Sequence, residues 1–527
     1  MKKFGKLLCL SMLLVMACTL FAGCSGGDTA GNTQSGSSDT LRFGCFSYSD
    51  VLDPGQMINS AWAVSRYGVG ECLYRFDDEM NAQPWLSDSY TVSDDHKTWV
   101  LHIRDGVKFS NGNDMTAQSV VDEFERIYNM EAENSSKPSK FIDIASITAD
   151  NEAGTVTIVT NIAYPDLTKT LSYPVFVILD VNAGTDITTQ PVGTGPYAIA
   201  SFDGKVSCIM TKNEYYWNGE VPFDNLQISF INDSTTKALS LQNGDIDLVE
   251  NITTTSDLDK LKADDNYYVS TTPGIRTGFA YINEAGVLGN DALREAVLQA
   301  LDDETMCNVT IGGLYTAGYS VLPSSLDYNY DKLTNPYPYD VEAAKQKLDE
   351  AGIIDTDGDG IRELDGQNIN LRFITYDNRG LSQLAEAVQL QLADIGIGVT
   401  VSSSDADTEW NLMVAGEYDL CSSNWTTVGT GDPTEYLANW YSKSEANYCN
   451  YKSDEFDACY EQMLTELDSA KIIDLVTEMQ QILIDDAAVM VHGYYNSSMV
   501  SVKSKISGAD IATADYYWIT SAIKPAE

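Results

Sequence analysis

Apolar positions alternate with a period of two in several short runs of this chain and recur at helical spacing in the stretches between them. In WVLHIRDGVKFS, Trp99, Leu101 and Ile103 face one way while His102 and Arg104 face the other, which predicts a strand with one buried face. LRFGCF from Leu41 and NLQISFI from Asn225 read as strands too. SAWAVSRYGVGECLY, from Ser60 to Tyr74, has a helical pattern. Thr116 stands where an N-cap belongs, ahead of a helix face made by Val120, Val121, Phe124, Ile127 and Tyr128.

The order strand, helix, strand then occurs twice. NLQISFI is followed by STTKALSLQNG, capped by Ser234 and stopped by Gly244, and then by DIDLVE. NINLRFITY, LSQLAEAVQLQLADIG and IGVTVSS repeat it, with the amphipathic helices NDALREAVLQALD and DVEAAKQKLDEAG between the two units. Such units demand parallel strands joined by helical crossovers, so the fold class is α/β and the chain divides into two lobes.

Composition agrees with a folded chain: 527 residues, of which 43% are hydrophobic and 10% aromatic, supply cores for two or three domains. The start is different in kind. Lys2, Lys3 and Lys6 precede an apolar run, Leu7 to Phe21, shorter than the roughly 20 residues of a membrane-spanning helix, which predicts a signal peptide over residues 1–23. Ala22, Gly23 and Cys24 resemble a bacterial lipobox, in which Cys24 becomes the lipid-bearing N-terminus, and SGGDTAGNTQSGSS continues as a flexible tether over residues 24–39. The expected location is the outer face of a membrane, held by the lipid.

Removing residues 1–23, which carry three lysines and no acid, takes the formal net charge from −45 to −48. A surface this acidic repels nucleic acid and anionic head groups and steers cationic or zwitterionic ligands. Seven cysteines remain after Cys9, Cys18 and Cys24 are set aside, an odd number with no CxxC spacing, so neither a disulfide framework nor a zinc ribbon is written here. The chain has three histidines, His96, His102 and His492, none in a nucleophile-elbow or metalloprotease pattern. GTGP at Gly193 to Pro196 is a turn, not a phosphate cradle. Enzymatic activity is therefore not expected; a surface hydrolase or an adhesin is the alternative from another class.

PWLSDSYTVSDDHKTWVLHIRDGVKFSNGNDMTAQSVVDEFERI, from Pro84 to Ile127, resembles the solute-binding proteins of peptide and nickel ABC importers, known as solute-binding family 5. PVGTGPYAIASF, EYYWNGEVPFDNLQISFI, STTKALSLQNGDIDLVE, LREAVLQALD and YDVEAAKQKLDEAGI recur in that family in the same order. The resemblance implies a two-lobed periplasmic-binding-protein type II fold. Residues 40–275 plus 489–527 would form lobe 1, with a small subdomain inserted at about 75–185. Residues 276–488 would form lobe 2, with a hinge where the chain crosses near YVSTTPGIRTGFAYI and VMVHGYYNSSMV. It also implies a monomeric receptor that delivers peptide or small zwitterionic solutes to an ABC permease, with a nickel-chelate or opine-type metallophore as the alternative ligand.

Five residues are candidates for ligand contact. Arg104 ends a strand, and its planar fork suits a ligand carboxylate; a salt bridge to Asp105 or Asp122 is the structural alternative. Arg276 lies in the expected hinge, and Tyr281 and Tyr495 flank the crossings. Trp425 opens NWTTVGTGDPTEYL, which resembles the family's lobe 2 cleft segment. Peptide-binding members carry an acid between the tryptophan and DP, where this chain has Thr426, Thr427, Val428, Gly429, Thr430 and Gly431. No cofactor is expected. DTDGDGIRELDG, from Asp355, alternates Asp355, Asp357 and Asp359 like a calcium loop, but Gly366 holds the twelfth position and a strand follows, so the readings are a turn-forming connector or a structural calcium site away from the cleft.

Overall fold

The computed structural model describes residues 39–130 and 137–527. The expected signal peptide, the expected lipid site Cys24 and the expected tether up to residue 38 lie outside the described residues. Among those described, no helix is long and apolar enough to cross a membrane.

One eleven-stranded sheet runs through both lobes. Its lobe 1 part orders Leu248–Glu250, Thr40–Cys45, Asn225–Phe230, Ser207–Lys212 and Tyr197–Asp203. Thr40–Cys45 is parallel to both Asn225–Phe230 and Leu248–Glu250. The lobe 2 part orders Gly398–Ser404, Asn370–Tyr376 and Leu420–Thr426, all parallel. Two long antiparallel strands, Tyr267–Ile282 and Val489–Val502, join the halves. Their register breaks between Pro273 and Thr277 and again after Gly278. A bulge re-aims side chains and bends the ribbon, so the crossing is where the sheet turns from one lobe into the other.

Each half is covered in the way its sequence demands. In lobe 2 one face packs Leu293, Val297, Leu348, Leu384 and Val388 over Leu371 and Phe373. The other packs Phe456, Tyr460, Val476, Met479 and Leu483 around Trp440, each such side chain stabilising by about 1.5–3 kcal/mol when fully buried. A four-stranded antiparallel sheet, ordered Ser87–Val92, Thr98–Ile103, Thr155–Thr160 and Ile144–Asp150, forms the small subdomain. Trp99, Leu101 and Ile103 point into its core, where the helix Ala117–Met130 lays Val120, Phe124 and Ile127. Thr116 Oγ1 accepts from Ser119 N at 3.3 Å at the head of that helix.

Two local expectations need correction. Asp233, not Ser234, caps the helix Ser234–Asn243, accepting from Thr236 N; Ser234 Oγ accepts instead from Thr253 N and Thr254 N and ties the helix to the next loop. The helix expected through SAWAVSRYGVGECLY is Ile58–Arg66 only. Gly68 at φ 72° takes the left-handed turn that ends it. The GTGP turn packs against this exit: a Cβ on Gly193 would stand 2.1 Å from Val69 O, so glycine is required by close backbone approach.

Candidate functional site

The carboxyl ends of the parallel strands in both lobes open onto one cleft, the place where open α/β sheets bind ligands. Phe46 and Tyr48 follow Thr40–Cys45, and Asn251 follows Leu248–Glu250; from lobe 2 come Arg379 after Asn370–Tyr376, Asp405 after Gly398–Ser404, and Trp425 at the end of Leu420–Thr426. The cleft has two chambers of about 330 and 650 Å³, which share Phe46, Tyr48, Asp377, Asn378 and Arg379. The smaller has a polar floor of Thr253, Thr254 and Asn251 beside the buried pair Lys237–Glu250, 2.8 Å apart. Trp62, Tyr173, Tyr376 and Trp425 line the larger.

Positive charge is concentrated where the lobes meet. Arg66 is fully buried with its guanidinium 4.5 Å from the ring centres of both Tyr48 and Trp518, and Nη2 donates to Asp515 Oδ2 at 2.7 Å. Arg276 places Nε 3.6 Å from the same Asp515 oxygen, and Nη1 donates to Asn424 O at 3.3 Å. Burial pushes the Asp515 carboxyl up, but Arg66, Arg276 and Arg379 outweigh it and hold the group below the ordinary range. Arg379 makes no hydrogen bond or ion pair among the described residues; its guanidinium lies 5.5 Å from the Tyr495 ring centre. Three guanidinium groups thus surround one carboxylate, and the excess faces the cleft through Arg379 and Arg276.

An acid stands in the same chamber. Glu435, in the first turn of Thr434–Leu437, lines the larger chamber, and burial raises its carboxyl above the ordinary range, with Lys140 opposing. Asp405 lines it from Gly398–Ser404. The chamber therefore offers cationic donors and carboxylate acceptors between aromatic walls.

Of the five residues expected at the ligand, Arg276 and Trp425 line the larger chamber and Tyr495 the smaller. Tyr281 belongs elsewhere. It is 1% exposed in the lobe 2 core, packed on Phe279 and Trp440, and its hydroxyl donates to Asn439 Oδ1 at 3.0 Å. Arg104 also lies outside the cleft lining: Nε donates to Trp85 O at 2.6 Å and the guanidinium sits 4.9 Å from the Trp217 ring centre. Trp85 and Trp217 each donate to Glu71, so Arg104 joins an aromatic box inside lobe 1, where its charge is already partnered by the Trp217 ring and the Trp85 carbonyl. Arg379 and Glu435 were beyond reach of sequence spacing. Glu435 lies two residues after Pro433, outside the interval where the family motif directs attention, and Arg379 is marked only by its place between a strand and the helix Leu381–Ala393.

The acidic loop sits apart. Asp355 caps its own turn by accepting from Gly358 N and Gly360 N. The acids that converge, with one oxygen from each within 4.8 Å of the others, are Asp355, Asp357 and Glu363. Asp359 instead accepts from Ile361 N and Asn368 Nδ2, which removes it from the expected trio. All seven cysteines of the body are buried and unpaired.

Comparison with known proteins places these features in a family. The profile of bacterial extracellular solute-binding proteins, family 5, matches residues 81–448. The nickel-binding protein NikA of Staphylococcus aureus is 26% identical over 462 residues, covering 86% of this chain and 88% of its own. The probable D,D-dipeptide-binding periplasmic protein DdpA of Escherichia coli is 24% identical over 490 residues, covering 89% and 91%. Among solved structures, NikA from Brucella suis in complex with Fe(III)-EDTA superposes with a TM-score of 0.82 at 20% identity, covering 92% of this chain and 99% of its own. The oligopeptide-binding protein AppA of Bacillus subtilis in complex with a nonapeptide gives 0.76 at 20% identity, with 93% and 99% covered. This chain, with its two lobes and interlobe cleft, belongs to family 5 of the bacterial extracellular solute-binding proteins of ABC importers.

Proposed function

We propose that the chain is a lipid-anchored extracytoplasmic receptor that captures small zwitterionic, peptide-like solutes in the interlobe cleft and hands them intact to its ABC permease. The observation that carries this reading is the presence of Arg379, a cation that makes no ion pair among the described residues, together with Glu435 in one aromatic-walled chamber. A ligand carboxylate answers Arg379 and Arg276 through charge-assisted hydrogen bonds, and a ligand amine answers Glu435. Tyr48 and Trp62 approach from lobe 1 and Arg379 and Trp425 from lobe 2, so a bound solute bridges the lobes and favours their closed arrangement about the bulged crossing.

The same guanidinium groups suit the carboxylates of a metal chelate, and the nickel-binding relative supports this as a second reading. Direct ligation of a metal by imidazole has no support in the cleft, since none of His96, His102 and His492 lines it. A tryptophan-fluorescence titration separates the readings. A short peptide with free termini is expected to bind, and its N-acetylated and amidated forms are expected to bind at least about tenfold more weakly. Equal binding of the doubly blocked form, or a response to nickel with histidine and to no peptide, removes the zwitterion reading.

A further inference from the structure

Lobe 2 contains a second cavity, of about 430 Å³, which shares no lining residue with either chamber of the cleft. Its floor is apolar: Leu298, Leu301 and Ile484 from helices or their ends, and Val489 to Val491 from the second crossing strand. Its wall carries Tyr319, Tyr330, Tyr337 and Tyr339. Two of these have their phenols turned away, Tyr319 donating to Leu333 O at 3.2 Å and Tyr337 to Asp485 O at 2.6 Å. Tyr319 and Tyr330 pack with ring centres 5.0 Å apart.

The charge of the lining is one-sided. Asp302, Asp303 and Glu304 border the cavity, and no lysine or arginine lines it. Asp302 caps the turn that follows, accepting from Thr305 N and Oγ1. Glu304 has no hydrogen-bond donor among the described residues, and Asp303 Oδ1, a buried atom, is turned toward the imidazole of His492. The nearest group to it is Nδ1 of His492, 3.9 Å away; His492 is fully buried, and neither ring nitrogen has a hydrogen-bond partner among the described residues. Burial raises the Asp303 carboxyl to about 6, opposed by His492, which leaves it ionised at pH 7.5 and above. Lys347 shows what these rings attract: its ammonium stands 4.9 Å from the Tyr337 ring centre while bonded to Glu295.

We infer that this cavity is a binding site for a small organic ammonium ion with an apolar body, held by the tyrosine faces and by the carboxylates of Asp303 and Glu304. A volume of about 430 Å³ is that of a small-molecule site. Aromatic faces combined with carboxylates and with no lysine or arginine in the lining select a weakly hydrated cation over neutral or anionic molecules. The inference stands independently of the cleft, because the two sites share no side chain.

The test uses the full chain in detergent and isothermal titration with benzyltrimethylammonium, at concentrations up to roughly 10 mM, with benzyl alcohol as the neutral comparison. One site per chain is expected for the cation, and weaker or no binding for the alcohol. Asp303→Asn combined with Glu304→Gln is expected to weaken the cation by about tenfold or more, and Arg379→Ala to leave it unchanged. Glu304 is exposed, so the single Glu304→Gln variant, expected to lose part of the affinity, reports on the site even if the Asp303 change disturbs folding. No heat of binding from the cation, equal binding of the alcohol, or loss of binding in Arg379→Ala with none in the double variant overturns the inference.

Discussion

Asp515 carries more than its share at the centre of the molecule. It is 4% exposed, it meets both Arg66 and Arg276, and Trp518 Nε1 donates to it at 2.9 Å. Arg379, by contrast, has the Tyr495 ring beneath it and makes no ion pair or hydrogen bond among the described residues, so its donors are open to a ligand although it shares the field of Asp515. Arg379→Ala is expected to weaken a carboxylate ligand by about 10–100-fold, measured by calorimetry, with little change in thermal stability, since no intramolecular ion pair is lost. A second residue gives a pH signature. Glu409 is 5% exposed, its one hydrogen-bond donor among the described residues is the thiol of Cys421 at 2.8 Å, and burial raises its carboxyl from the ordinary 4.5 to about 7. The folded protein holds this proton more tightly than the unfolded chain does. The stability it contributes is therefore full below about 4.5 and is lost as pH rises through about 7. Denaturant unfolding at pH 5 and pH 8 is expected to find Glu409→Gln more stable than the parent at pH 8 by about 1–3 kcal/mol, with the difference shrinking at pH 5; an equal difference at both values contradicts the account. At this scale the sequence was only partly legible. Arg276 and Trp425, which line the cleft, were expected there because a hinge and a motif mark their positions. Arg104 and Tyr281 satisfied the same residue-type argument, but the direction of a strand end and the depth of a core are tertiary facts.

The two crossing strands decide how the residues are presented. Past Gly274 the first of them is buried on both faces, and Gly278 lies beneath the Tyr315 ring, where an added Cβ would stand 2.4 Å from a ring carbon. Tyr315 Oη accepts from Asn424 Nδ2 at 2.8 Å, and Asn424 O accepts from Arg276. Gly278→Ala must push this ring aside. It is expected to lower stability by about 1–3 kcal/mol in chemical unfolding and, by shifting Asn424 and Arg276, to weaken ligand binding as well; unchanged affinity with reduced stability would separate the hinge from the site. Elements of this kind were legible where a period exists. The strands beginning at Leu41, Asn225 and Asn370 and the helix Ala117–Met130 follow from alternation and helical spacing. The tyrosine-rich stretch from Gly318 to Tyr339 has neither period, so its part in walling a cavity could not be read.

For the whole molecule, the strand–helix–strand order was enough to give two α/β lobes, because parallel strands leave few ways to connect. That both lobes share one sheet through two bulged strands was not visible, since strand pairing at a distance of more than 200 residues, as between Thr271 and Ser498, leaves no local trace. The cleft that results gathers charge of both signs between aromatic walls inside a body that is strongly acidic overall. On the function proposed above, acidic steering concentrates ligands carrying an amine and the arginines at the lobe junction receive their carboxylate. The most direct test is native mass spectrometry of the protein in detergent, mixed with short peptides bearing free termini, the same peptides blocked at both ends, and nickel with histidine. The account predicts one intact free-terminus peptide retained per chain, lost in Arg379→Ala. Retention of blocked peptides or of nickel complexes alone, or release of cleaved peptide, would contradict it.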